Sequence, residues 1–207
     1  MTIYVGLDLS LVSPGVAVYN TTDQSWTLYG FAQRVREKQF TYSCHLTTVQ
    51  LFPAIPRDIT NECRYEHIRR YIVDSILDKL PPDPLVVVGI ECYAFGAKNS
   101  GSSYKLQELG GVLKHAIWRQ FPHWQQVIIP PSQWKKKVIG DGRATKADAV
   151  DAVESRGPMV SLLSILGLCV TKTGTIPCPV QDLADAACIV LSLSQPPIVA
   201  PKKRPRP

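Results

Sequence analysis

Residues 6–19 read GLDLSLVSPGVAVY, and this stretch decides the fold. The apolar, β-branched run over 3–9 predicts a buried first strand that carries Asp8 near its end. A Ser-Pro-Gly turn follows, and residues 15–20 then predict a second strand. A third strand is expected over 26–32. The chain is therefore predicted to open with an antiparallel meander.

Helices and strands are expected to alternate after this meander. Isoleucine and leucine at every fourth position predict an amphipathic helix over 60–80, which two prolines terminate. Residues 85–91 are apolar almost throughout, as in a strand buried on both faces. A meander followed by such alternation predicts an α/β fold with a mixed sheet. The other predicted elements are helices over 104–120, 132–139, 145–155, 158–167 and 182–194 and a strand over 126–129.

Two segments fall outside this pattern. Residues 33–58 mix charged, aromatic and proline residues without a period, so we expect an irregular insertion there. Residues 195–207 are rich in proline, lysine and arginine, a composition that predicts a disordered tail. Because 207 residues are too few for two large cores, we expect a single domain over 1–194.

Composition limits the class of protein. We find no signal-peptide pattern and no apolar run long enough to cross a bilayer, so we expect a soluble, intracellular protein of unassigned compartment. The formal net charge is +6, of which the tail contributes +4. Its Lys-Lys-Arg-Pro-Arg sequence is compatible with a nuclear localisation signal, with a DNA-binding arm and with neither role. A nuclear and a nucleoid location therefore both stay open. The 6 cysteines form no CxxC pair, which disfavours a zinc site.

The positive charge of the body is concentrated between residues 134 and 146, where five basic residues face a single acid, Asp141. A clustered basic patch suits a polyanionic partner such as nucleic acid. A solvated lysine face explains the same pattern equally well. The basic residues are Lys135, Lys136, Lys137, Arg143 and Lys146.

Four carboxylates stand where α/β folds place functional groups. Asp8 and Glu91 each lie at the end of an apolar strand, and ligands gather at the carboxyl ends of strands in open sheets. Asp182 and Asp185 are three residues apart at a helix start, so both face the same way. Taken singly, Asp182 could cap its helix, Asp185 could be an exposed acid and Asp8 could form a turn.

Carboxylates that converge repel one another unless a divalent cation lies between them. Oxygen-only ligands favour Mg²⁺ or Mn²⁺ over Zn²⁺. Two such ions about 4 Å apart stabilise the attacking and leaving oxygens in phosphodiester hydrolysis. The residues are far apart in the chain, so their convergence is an expectation about the fold.

The residues singled out so far lie in four blocks of the sequence. The blocks are GLDLSLVSPGVAVY, IECYAFGAKNSGSSYKLQELGGVL, PSQWKKKVIGDGRATK and QDLADAACIVL. In their order and spacing, these blocks resemble the RuvC family of Holliday junction resolvases. The resemblance implies a ribonuclease-H-like fold, in which a mixed sheet with an antiparallel meander and parallel strands is flanked by helices. It also implies a metal-dependent endonuclease that resolves four-way DNA junctions by paired symmetric nicks.

The resemblance also implies roles for individual residues. Asp8, Glu91, Asp182 and Asp185 match the family's catalytic acids, which would hold two Mg²⁺ ions per site, with Mn²⁺ as a substitute. Lys146 matches a lysine near the scissile phosphate, and Lys135 matches a second family lysine. Phe95 and Lys98 match a loop that contacts junction bases, although Tyr93 could take the stacking role instead. From charge alone, we add Lys136, Lys137 and Arg143 as phosphate contacts.

A homodimer is implied as well, because two symmetric cuts need two identical sites. The candidate interface is the helix over 104–121, although its apolar face could instead pack on the sheet. That face carries Leu106, Leu109, Gly110, Leu113 and Ile117.

Three other functions share some of these features. A nuclease of the same fold could act on an RNA–DNA hybrid, a flap or a replication fork. A non-catalytic junction-binding protein would have little reason to keep four costly acids. An actin-like or sugar-kinase-like ATPase also carries a Gly-x-Asp hairpin, but it needs about twice this length.

Overall fold

The structure is a computed structural model, and it describes residues 1–32, 40–44, 46–82, 84–91, 100–158, 160–168 and 176–195. Over these ranges, no helix is both long enough and apolar enough to cross a lipid bilayer.

The described strands form a seven-stranded mixed sheet in the order β4-β5-β3-β2-β1-β6-β7. The pairs β1–β2 and β2–β3 are antiparallel, which confirms the predicted meander. The pairs β1–β6 and β6–β7 are parallel, which confirms the predicted mixed sheet. The strands are β1 (Thr2–Asp8), β2 (Gly15–Asn20), β3 (Ser25–Phe31), β4 (Phe40–Cys44), β5 (Thr47–Phe52), β6 (Leu85–Glu91) and β7 (Gln125–Ile129).

The expectation of an irregular segment over 33–58 is wrong for β4 and β5. Strand β5 runs parallel to β3, and β4 pairs antiparallel with β5 at the edge of the sheet. Thr47, Val49 and Leu51 are buried while the residues between them are half-buried. This alternation is the period of a strand with one face on the core. Extending the sheet covers the edge that β3 would otherwise expose.

The predicted helices are present, but two of them differ from the prediction in helix type or in length. The helix expected over 60–80 begins at the Thr60 cap and runs through α1, a π-helical segment (Arg70–Ile76) and one 3₁₀ turn (Leu77–Lys79). The helix expected over 158–167 is only one turn long, because it begins after the Ser161 cap and ends at Ile165. The α-helices are α1 (Asn61–Arg69), α2 (Ser100–Gln120), α3 (Pro131–Val138), α4 (Lys146–Arg156), α5 (Leu162–Ile165) and α6 (Val180–Ser194).

Helices cover both faces of the sheet and create two hydrophobic cores. One core joins α1 and α2 to the sheet and includes Leu109, Leu113 and Ile117, which are fully buried. The other core joins α3, α4 and α6 to the opposite face. The apolar face of α2 is therefore packed inside the protomer, so the dimer interface expected from Leu109, Gly110, Leu113 and Ile117 is wrong.

Helix α6 lies close to the centre of the sheet because glycines line its path. Gly6 and Gly89 are partners in the β1–β6 register. A Cβ atom on Gly6 would lie 2.2 Å from the carbonyl oxygen of Ala186, and one on Gly89 would lie 2.6 Å from Cγ2 of Ile189. These contacts leave no room for a side chain, so the glycines set the height of α6 above the strands.

Candidate active site

Asp8 and Glu91 end two neighbouring parallel strands. The β1–β6 register ends at the pair Leu7 and Ile90, and these two acids come directly after that pair. Each acid lies two residues beyond a glycine that contacts α6. Residues two apart on a strand share a face, so both carboxylates point towards α6.

The first turns of α6 supply the other two acids. Asp182 is 7% exposed, and Asp185 follows one helical turn later in a half-buried position. Gly15, the β2 partner of Asp8, lies directly against the backbone of Asp182. The amino-terminal end of α6 is thus held over the ends of β1 and β6, where Asp8 and Glu91 lie.

The electrostatics confirm that the four carboxyl groups are close neighbours. Burial raises the pKa of Asp8 well above its usual value, and the charges of Glu91, Asp185 and Asp182 raise it further. Burial, followed by the charge of Glu91, raises the pKa of Asp185 to about 7. Burial also raises the pKa of Asp182. The cluster therefore resists carrying four negative charges unless positive charge is supplied.

The donor set fits a divalent cation. Asp182 Oδ2 and Asp185 Oδ1 are buried and have no hydrogen-bond partner among the described residues. A buried carboxylate oxygen without a partner is costly, and a cation would satisfy it. As the side chains stand, no three His, Cys, Asp or Glu residues in the described ranges are arranged to hold a metal ion.

Trp134 is a site residue that the sequence analysis did not single out. Its indole N–H donates a hydrogen bond to Glu91 Oε1 at 3.1 Å. The ring is 1% exposed and lies in α3, next to Lys135 in the chain. A tryptophan in a basic stretch was the available signal, but only the fold shows which carboxylate it reaches.

Two of the predicted lysines lie near the acids. The charges of Lys146 and Lys135 both lower the pKa of Asp185, and that of Lys146 also lowers the pKa of Asp182. Lys135 Nζ donates to the carbonyl of Ala144 at 2.9 Å and lies 5.5 Å from the centre of the Trp134 ring. Lys135 is thus held by the protein.

Lys146 is exposed in the first turn of α4. Thr145 accepts from the backbone N–H of Asp148, and Asp148 accepts from the backbone N–H of Thr145. This reciprocal cap fixes the start of the helix that carries Lys146.

The other predicted DNA contacts differ in their exposure to solvent. Lys136 and Arg143 are exposed, and Lys137 is half-buried. Phe95 and Lys98, together with the alternative Tyr93, lie outside the described residues.

Comparison with known proteins gives matches in structure and none in sequence. No protein-family model matches the chain, and no curated protein matches it. The structure of RuvC from Thermus thermophilus is 20% identical, with a TM-score of 0.53 and coverage of 92% of each chain. The same protein in complex with a Holliday junction substrate is 19% identical, with a TM-score of 0.54 and coverage of 93% of this chain and 92% of that one.

A third structure is the yeast mitochondrial Holliday junction resolvase. It is 12% identical, with a TM-score of 0.51, and the match covers 91% of this chain and 76% of that one. These likenesses show that the chain has the ribonuclease-H-like fold of the RuvC structures. They confirm the fold that the resemblance of the four sequence blocks implied.

Proposed function

We propose that this protein is a metal-dependent, structure-selective DNA endonuclease that resolves four-way junctions by paired symmetric nicks. The observation that carries the proposal is the gathering of Asp8, Glu91, Asp182 and Asp185 where α6 meets the sheet. Two of these residues have buried oxygens without hydrogen-bond partners. One structure with the same fold is bound to a Holliday junction substrate, which supports the choice of DNA substrate.

In this mechanism, the four acids would hold two Mg²⁺ ions, with Mn²⁺ as a substitute. The ions would supply an activated water and stabilise charge on the phosphate. Asp8 and Glu91 would provide ligands from rigid strand ends, and Asp182 and Asp185 would provide them from the helix.

Lys146 adds a cation beside the acids, where negative charge on the phosphate grows in the transition state. Lys135 supports this arrangement by holding the Ala144 carbonyl, two residues before Lys146.

Other residues would bind the DNA away from the acids. We assign Lys136, Lys137 and Arg143 to phosphate contacts, which position a protein on DNA without reading its sequence. Phe95 and Lys98 are assigned to junction contacts. The nuclease domain would be residues 1–194, which end with α6, and the basic tail would follow it.

Paired cuts require a second copy, and we retain α2 as the helix of a two-fold dimer. Because its apolar face is buried in the protomer, the interface must use the outer face. Tyr104 and Trp118 are 63% and 60% exposed there.

The test is cleavage of a synthetic immobile junction by the purified protein, with Mg²⁺ and with a chelator. We expect paired, symmetric nicks that require the metal, and no cleavage by Glu91→Gln. Junction binding by that variant should remain, because the phosphate contacts lie elsewhere. A nicked duplex, a flap and an RNA–DNA hybrid form the substrate panel. Preference for one of these would reassign the substrate, and full activity of Glu91→Gln would refute the site.

A further inference from the structure

Glu91 receives a hydrogen bond from a buried indole, and we propose that Trp134 is a positioning residue that fixes the Glu91 carboxylate for metal binding. This inference rests on the proposed function. Glu91 is central to the acid cluster because its charge raises the pKa of both Asp8 and Asp185. The orientation of the Glu91 carboxylate therefore decides which oxygens the cluster offers to a cation.

The fold brings Trp134 to Glu91 through a short and rigid route. Glu91 pairs with Ile129 at the end of the β6–β7 register. The chain then turns at Pro130 and starts α3 with Pro131, and Trp134 lies in the first turn. Trp134 is packed in the core under α6 and is 1% exposed. A ring held this firmly offers its N–H in one direction only.

A carboxylate in the position of Glu91 needs such a guide. The Glu91 side chain has three rotatable bonds, is half-buried and lies beside the Asp8 carboxyl group, with which it interacts both through charge and through a hydrogen bond. A hydrogen bond to a charged acceptor is stronger than one between neutral groups, so it can select one orientation of the carboxylate among its rotamers. The indole is a donor with no acceptor and cannot ligate a metal itself. One N–H occupies a single lone pair of Oε1, so the carboxylate keeps its capacity to bind a cation.

A phenylalanine at position 134 could not orient Glu91, because it has no N–H group to donate. Phenylalanine would fill most of the buried space and leave Glu91 without its donor. The ring also lies beside Lys135, whose ammonium is 5.5 Å from the ring centre. One residue thus contacts both an acid and a lysine of the candidate site.

Trp134→Phe tests the proposal, and Trp124→Phe is its matched control. Trp124 is also buried, but its indole N–H has no hydrogen-bond partner among the described residues. Mn²⁺ binding to the full chain without DNA is measured by titration calorimetry. We expect Trp134→Phe to weaken Mn²⁺ binding about tenfold or more, as is typical when a residue that orients a ligand is removed. The control should bind Mn²⁺ like the wild type.

Two further variants make the outcome decisive. Benzothienylalanine at position 134 keeps the size of the indole but lacks the N–H, so it tests the hydrogen bond if Trp134→Phe folds poorly. We expect the same loss of affinity, and we expect cleavage to recover at high Mn²⁺. Glu91→Gln tests the site itself. If it binds Mn²⁺ like the wild type, the proposed metal site fails. If it loses binding while the position-134 variants retain wild-type affinity, only the positioning role of Trp134 is overturned.

Discussion

A Cβ atom on Gly15 would lie 2.1 Å from the main-chain carbonyl oxygen of Asp182. Gly15 is also the partner of Asp8 in the β1–β2 register. The same residue therefore lies beside the strand acid and beneath the helix acid. The glycine seven residues after Asp8 is required because the first turn of α6 rests on its backbone.

Gly15→Ala should displace the start of α6 and separate its two acids from Asp8. Because the clash is with backbone, no side-chain rotation can relieve it, and we expect a loss of about 1–3 kcal/mol in the free energy of unfolding. We also expect cleavage to fall by at least about tenfold, measured in single turnover at saturating protein. Wild-type stability and cleavage in this variant would contradict the close contact.

The matched control is Gly110→Ala in α2, on the face that packs within the protomer. A Cβ atom built there would meet only Cδ1 of Leu9, at 3.5 Å, which is an ordinary van der Waals contact. Because alanine favours a helix over glycine by about 1 kcal/mol, this variant should be slightly more stable than the wild type. Its cleavage should not change.

The pH dependence of stability without metal follows from the acid cluster. The raised pKa values of Asp8, Asp182 and Asp185 mean that the folded protein holds protons which the unfolded chain releases near pH 4. The stability they contribute is complete below about pH 4 and is lost as the pH rises towards about 7, where Asp185 titrates. Urea unfolding in a chelator should therefore show decreasing stability from pH 5 to pH 8.

Asp185→Asn is the variant that checks this trend. Its stability should fall less over the same pH range, since the amide does not ionise. Excess Mg²⁺ at pH 8 should stabilise the wild type by about 2.7 kcal/mol at one hundred times its Kd, and the variant by less. An identical pH slope in the two proteins would show that Asp185 does not carry the effect.

Lys146→Ala should lower the single-turnover cleavage rate by about tenfold or more, which corresponds to ~1.4 kcal/mol in the transition state. The charge of Lys146 lowers the pKa of Asp182 and Asp185, so its ammonium group lies close to the acids. There it would stabilise the negative charge that grows on the phosphate. Junction affinity should change far less than the rate. A variant that cleaves at the wild-type rate but binds weakly would make Lys146 a DNA contact only.

Joint replacement of Lys136 and Lys137 by alanine should have the opposite signature. Each lost phosphate contact reduces the number of released counterions, so binding should weaken and its dependence on salt should flatten. Cleavage of fully bound junction should stay near the wild-type rate. Binding assays over a range of salt concentrations test this, and an unchanged slope would mean that both lysines only face solvent.

Much of this architecture could be predicted from local sequence patterns. The apolar strand that ends in Glu91 was predicted with its observed bounds, because a short apolar run rich in valine and preceded by prolines favours a strand. The strand pair β4–β5 was missed because its period-2 pattern is short and lies among charged and proline residues. The sequence left two readings of the apolar face of α2 open, a dimer interface and packing on the sheet, because an apolar helix stripe looks the same in both cases.

The sequence by itself determined the opening meander, the alternation of helices and strands after it, the four candidate acids and the basic character of the stretch around Lys135. These properties are local, since they depend on residue type and spacing along the chain. Only the tertiary structure decided that Asp182 rests on Gly15, that Trp134 reaches Glu91 and that Lys135 is tied to Ala144. The partners in each of these pairs are separated by at least one turn or element, so their meeting depends on sheet register and on the height of α6 above the strands.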